Sequence, residues 1–208
     1  MDKNNLQKCF EYGILKHSRK NLRKQSFSVA FWGFCVATPG LFFTSTTKIY
    51  YLLVCILAVV YCFVTFFMTK KLDLKKRISI AALDSVIQPI IFILDSAICW
   101  EIAQAPNYWF HIATLPFAFA GISLLIMWYN VKRNRFLKIK YDFNVTWLLV
   151  TLLGGVVLVI VLAIFINTLN WDEILIFTAV FMEVMACIFS LDASAFLKLH
   201  YMRVLKRS

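Results

Sequence analysis

Six long runs free of Lys and Arg, separated by short segments crowded with both, constrain this chain more than any other feature. The runs are Phe27–Phe43, Ile49–Met68, Ile78–Trp100, Tyr108–Tyr129, Val145–Asn167 and Ile174–Leu197. About 20 apolar residues cross a ~30 Å hydrocarbon core, and a chain of 208 residues that is 61% hydrophobic has almost nothing left for a separate soluble domain. The expected fold is therefore all-α: a polytopic integral membrane protein built as a six-transmembrane-helix bundle. The first run is the shortest, and Pro39-Gly40 interrupts it near its end. A thinned or untilted arrangement is expected there.

Lys and Arg pile up on one side of the membrane in most polytopic proteins, which offers an independent check on the span count. Residues 1–26 hold seven of them, the second loop five (Lys70, Lys71, Lys75, Lys76, Arg77), the fourth loop five (Lys132, Arg133, Arg135, Lys138, Lys140) and the C-terminal tail four (Lys198, Arg203, Lys206, Arg207). The three alternate loops hold only Lys48. Adding or removing one span would scramble this pattern, so both termini are expected in the cytoplasm of a multi-pass protein of the cell membrane (a cell inner membrane in a bacterium). The organisation is then 1–26, a cytoplasmic basic amphipathic segment; 27–197, the six-helix transmembrane domain; and 198–208, a cytoplasmic basic tail.

The net charge of +11 follows from those loops. It points to anionic lipid headgroups rather than to nucleic acid. No cleavable signal peptide is expected, because residues 1–26 are polar. Within them Leu6, Cys9, Phe10, Gly13 and Ile14 recur at helical spacing with Lys8, Lys16, Arg19, Lys20 and Arg23 on another face, the layout of an interfacial amphipathic helix or of a charged topology anchor that is helical. Such a helix ahead of six spans resembles the plan of ABC exporter permeases, a likeness that implies only a transport class.

The chemistry-bearing residues are acids inside apolar runs: Asp84, Asp95, Glu183 and Asp192. A charge there costs about 2.5–3.5 kcal/mol even on the lenient insertion scale, and such residues usually have a role. At 100° per residue, Gln88 lies about 40° and Asp95 about 20° around the third span from Asp84, so the three form one polar stripe. Pro89 lies within it and frees a backbone carbonyl. Glu183 is ~13.5 Å past Ile174, near the midplane. All Lys and Arg fall outside the expected spans, so Glu183 and Asp95 must be protonated, hydrogen-bonded, or neutralised by something that binds. Asp192 lies near the cytoplasmic end, within reach of a snorkelling Lys198, and ranks lowest of the four.

No catalytic signature is present, neither GxSxG, HExxH nor a Walker A loop. Asp84 and Asp192 share a depth, as an intramembrane aspartyl pair would require, but their flanks match no such signature. The three His residues are scattered and no CxxC occurs, so no metal and no cofactor are expected. The expected function is a small non-enzymatic transport or permeation component that binds a proton, cation or cationic solute at Glu183, Asp95, Asp84 and Gln88, with the span-three stripe and Glu183 facing one another across a cleft. The alternative is a membrane-resident interaction protein: an immunity, exclusion or accessory subunit of another membrane machine. The partners to expect are the lipid bilayer, a small cation or cationic solute, and another membrane protein or a second copy of the chain. Nucleic acid is not among them.

Overall fold

The structure is a computed structural model that describes residues 3–11, 19–104, 109–137 and 170–205. Within them every regular element is helical. α1 spans Lys3–Glu11, α2 Arg19–Ala37, α3 Ser45–Met68, α4 Leu74–Ile102, α5 Trp109–Lys132, α6 Trp171–Ser190 and α7 Ser194–Leu205. Short 3-10 turns follow α2 (Thr38–Phe42), α5 (Arg135–Leu137) and α6 (Leu191–Ala193). Four stretches among the described residues are long and apolar enough to cross a membrane: Ser45–Met68, Leu74–Ile102, Thr114–Lys132 and Trp171–Leu205. The expected span Val145–Asn167 lies outside the described residues.

The expected first span, Phe27–Phe43, is not one helix. α2 starts eight residues earlier, at Arg19, and stops at Ala37, where Pro39 sits at the head of a 3-10 turn. Proline tolerates that position because the amide it lacks would have no helical partner there. The turn leads straight into α3, whose N-cap Thr44 accepts the Thr47 backbone N–H at 3.2 Å. Thr47 Oγ1 donates back to the Gly40 carbonyl at 2.8 Å. A Cβ at Gly40 would be a tight fit, 3.0 Å from the Thr47 carbonyl oxygen and 3.2 Å from Ile98 Cγ2.

α4 is the most enclosed of the four crossing stretches. Asp73 caps its start, accepting the Lys76 N–H at 2.7 Å. On α3, Val54, Ala58, Tyr61 and Thr65 are buried at a spacing of four, three and four residues that lines one face of a helix, and Val54 and Tyr61 pack against Ile87, Ile91, Leu94 and Ile98 of α4. From α6 it receives Leu175, Ala179, Met182 and Ala186, at the same spacing. The alanines let the two backbones approach closely, and Phe92 stacks on Phe189 with ring centroids 5.4 Å apart.

The expected sixth span, Ile174–Leu197, lies within the crossing stretch Trp171–Leu205 and contains one 3-10 turn. The helix ends at Ser190, a 3-10 turn intervenes, and α7 continues to Leu205. Ser190 Oγ donates to the Ala186 carbonyl at 2.7 Å, and Ser123 of α5 donates to the Leu191 carbonyl, so the polar groups at the break are partly satisfied. Lys198 lies in mid-helix and is buried.

At the same end, α1 places Leu6, Cys9 and Phe10 in a core with Ile78, Ala82, Met127, Val131, Phe136 and Ala195. Its apolar face is thus covered by protein. Asn5 Nδ2 donates to the Val131 carbonyl at 3.2 Å. Burial pushes the Cys9 thiol up to about 11, against the pull of the Lys198 charge. At the opposite end, Leu175 and Ala179 pack with Cys99, Trp100, Ile102 and Ala103.

Candidate functional site

α4 carries polar side chains on two faces. On the first, Tyr61 Oη of α3 donates to Asp84 Oδ1 at 2.8 Å and accepts from Gln88 Nε2 at 2.6 Å. The expected stripe therefore exists in its lower half, joined by a tyrosine from the neighbouring helix. Tyr61 and Gln88 are almost wholly inaccessible.

Asp95, on the same face and two turns further along, is different. It is fully buried, and neither carboxyl oxygen has a hydrogen-bond partner among the described residues. Gly33 of α2, which has no side chain, lies close to it. A Cβ on Gly33 of α2 would lie 3.4 Å from Asp95 Oδ2, 3.8 Å from Val54 Cγ1 and 2.6 Å from Ile91 Cγ2. No ordinary residue fits at 33 without displacing Ile91, so glycine is what brings α2 down over Asp95. Gln88 Oε1 and Thr65 Oγ1, in the same α3–α4 layer, are likewise buried and without partners among the described residues. These atoms share a chemistry: three are acceptors only, and the hydroxyl can serve as one.

The second face turns toward α6. Trp100 Nε1 donates to Glu183 Oε1 at 2.6 Å, and Ser96 Oγ donates to the same oxygen at 3.2 Å. Ser96 and Trp100 lie about 120° and 160° around α4 from Asp84. Glu183 is thus met by a different side of the helix from the one that carries Asp84, Gln88 and Asp95. The structure brings Asp84 and Gln88 together through Tyr61, leaves Asp95 beside Gly33, and ties Glu183 to Ser96 and Trp100. The expected single cleft becomes two separate placements.

Asp192 sits on the turn after α6 with an exposed side chain. Its charge reaches Asp84, and that of Lys198 reaches Asp192. The sequence puts every Lys and Arg outside the expected spans and so gives no sign that Lys198 is buried.

Tyr61, Ser96 and Trp100 are the residues that sequence reasoning misses. Tyr61 has a readable signal. With Ala58 and Thr65 it forms the small or polar edge of an otherwise bulky run, the usual mark of a packed helix face. Trp100 and Ser96 carry no comparable mark. Among the described residues no group of three His, Cys, Asp or Glu side chains is placed to hold a metal ion. No protein-family model, curated protein or solved structure matches the chain.

Proposed function

We propose that this chain is a small non-enzymatic membrane protein, a transport or permeation component that binds a proton, small cation or cationic solute at its intramembrane carboxylates, with Asp95 at the centre. The observation that supports this reading is the pair of buried oxygens on Asp95 that have no partner among the described residues. An isolated carboxylate in so apolar a setting is strongly unfavourable, and a proton or cation is the species that relieves it. Asp84 and Gln88 extend the polar stripe, and Gln88 Oε1 offers one more open acceptor. Glu183, held by two donors, serves this site as an interhelical tie.

We further propose six spans with both termini in the cytoplasm, α2 supplying the first crossing. The described chain leaves the end that carries α1 at Leu137 and resumes at Asn170, beside the opposite end, a gap that one crossing by Val145–Asn167 would close. Cations sit on aromatic rings at the first of these ends: Arg23 on Phe66 at 4.0 Å, Lys70 on Phe67 at 4.4 Å and Lys132 on Trp128 at 4.9 Å. Belts of that kind mark a membrane interface. External labelling of a single cysteine placed in 132–137 would defeat this topology.

The test of function is ligand-induced stabilisation. A ligand at 100 times its Kd stabilises the folded state by about 2.7 kcal/mol. Thermal unfolding of purified protein titrated with sodium, potassium, ammonium and methylammonium, together with proton uptake by proteoliposomes, should show a response that Asp95→Asn removes without loss of folded protein. A response of equal size in Asp95→Asn would refute the reading.

A further inference from the structure

α2 and α3 enclose an apolar groove of about 500 Å³ on the outside of the bundle. Its walls include Phe27, Phe31, Phe34 and Phe63, and its floor is made by the nearly buried Ala30 and Ala58. Two alanines between rows of phenylalanine account for the depression, since each leaves unfilled the space a larger side chain would take. The rings beside it are not turned inward: Phe27 is 66% and Phe63 64% exposed. A polar guest gains nothing along such a lining, whereas a hydrocarbon chain makes dispersion contacts over its whole length.

One end of the groove is not apolar. Phe66 forms part of the lining and carries the Arg23 guanidinium over its ring at 4.0 Å. Arg23 is fixed there by Nε donating to Thr69 Oγ1 at 2.9 Å and Nη2 donating to the Phe66 carbonyl at 3.3 Å. Arg19 bonds the Lys70 carbonyl from the same edge. Arg19, Lys20, Lys24, Lys70 and Lys71 are all exposed. Against these cations, neither α2 nor α3 contains an Asp or Glu anywhere in its length. The positive charge at the mouth therefore has no counter-charge on the two helices that build the groove.

We propose that this groove binds an anionic phospholipid, with one acyl chain along Phe27–Phe34 and Ala58–Phe66 and the phosphate on Arg19, Arg23 and Lys70. Arginine suits the role because its five donors sit in a planar fork matched to phosphate oxygens, and the bonds above engage only Nε and Nη2 of Arg23. Basic pockets between membrane helices are suited to anionic headgroups. The lipid would also hold the α2–α3 pair, and so Gly33, against α4. This site is independent of the Asp95 reading.

The full chain is purified from bilayers of phosphatidylglycerol and phosphatidylcholine in equal parts, and the lipid retained is counted by native mass spectrometry. Expected is one phosphatidylglycerol per chain. It should fall at least tenfold in occupancy in the Arg19→Gln/Arg23→Gln double variant and in Ala58→Trp, which fills the floor and leaves the cations in place. Ile122→Trp, on the exposed face of α5, should retain the lipid. Because the first two variants alter contacts between helices, the unsubstituted protein is also exposed to phosphatidylglycerol bearing a photoreactive diazirine in its acyl chain. Adducts should map to residues 27–34 and 58–66. Equal retention of the two lipids, adducts concentrated on α5, or a co-isolated second chain or partner helix filling the groove in place of lipid would each overturn the proposal.

Discussion

Toward α3 and α2, α4 presents Asp84, Gln88 and Asp95; toward α6 it presents Ser96 and Trp100 to Glu183. The second face has donors enough for its acid, because an indole N–H and a hydroxyl both reach Glu183 Oε1. On the first face the Tyr61 phenol donates to Asp84 and accepts from Gln88. Among the described residues Asp95 is left with no donor. An acid that a neighbouring helix supplies with donors acts as a clamp between helices. An acid buried without donors among the described residues is the one that the proposed proton or cation would complete. Burial alone does not separate the two roles, since Glu183 and Asp95 are both buried. The inventory of donors does.

The sharpest way to break this comparison is to neutralise both acids in parallel. Asp95→Asn should abolish the cation or proton response, an effect of about 3–5 kcal/mol in binding if a buried charge pair is lost. Glu183→Gln should leave that response within a factor of two or so while lowering stability by about 0.6–2 kcal/mol. Ligand-shifted unfolding and proteoliposome uptake, measured on both variants, decide the matter. If Glu183→Gln also abolished the response, the two faces would have to be treated as one site.

Tyr61→Phe probes the first face from the opposite helix. It keeps the ring and removes the hydroxyl, leaving Asp84 Oδ1 without its donor and Gln88 Nε2 without its acceptor. The expected cost is about 1–3 kcal/mol, read by unfolding in mixed micelles. The response should survive, because no part of Tyr61 is hydrogen-bonded to Asp95. A variant as stable as the parent would show that Asp84 and Gln88 find other partners, and that this face is less short of donors than the geometry implies.

Part of this contrast is legible in the amino-acid sequence and part is not. The acids stand out because charge is rare in apolar runs, and rotation by 100° per residue puts Asp84, Gln88 and Asp95 on one face of α4, where they are. That arithmetic works within a helix. It carries no information about which helix lies beside which face, so it sets Glu183 opposite the stripe, whereas Glu183 meets Ser96 and Trp100. Trp100 is lost among an aromatic content of 16%, where a ring with one polar atom resembles any other apolar filler, whereas Tyr61 is marked only by its spacing with Ala58 and Thr65. Lys198 reads as part of a tail because the basic cluster begins there. The helix does not stop at 197, however. Ala195, Leu199 and Met202 carry a buried face through α7 and take Lys198 with it.

Trp100→Phe and Ser96→Ala measure the second face, where the smallest effects are expected. Trp100 supplies the shorter bond, 2.6 Å against 3.2 Å from Ser96, and it also packs with Cys99, Leu175 and Ala179. Phenylalanine preserves part of that packing but loses the N–H, so a cost of about 1–2 kcal/mol is expected. Ser96→Ala removes one weaker donor from an oxygen that keeps another, and alanine leaves almost no void. Its cost should be near the ~0.6 kcal/mol typical of an interhelical hydrogen bond in a membrane. The informative quantity is the double variant. If both donors serve the same oxygen, removing the second strips Glu183 Oε1 of both bonds, and the combined loss should exceed the sum of the singles by about 0.5 kcal/mol or more. A double variant that is merely additive would mean that the two bonds act independently and that Glu183 draws its stability from elsewhere. In that case the number of donors would no longer distinguish Glu183 from Asp95.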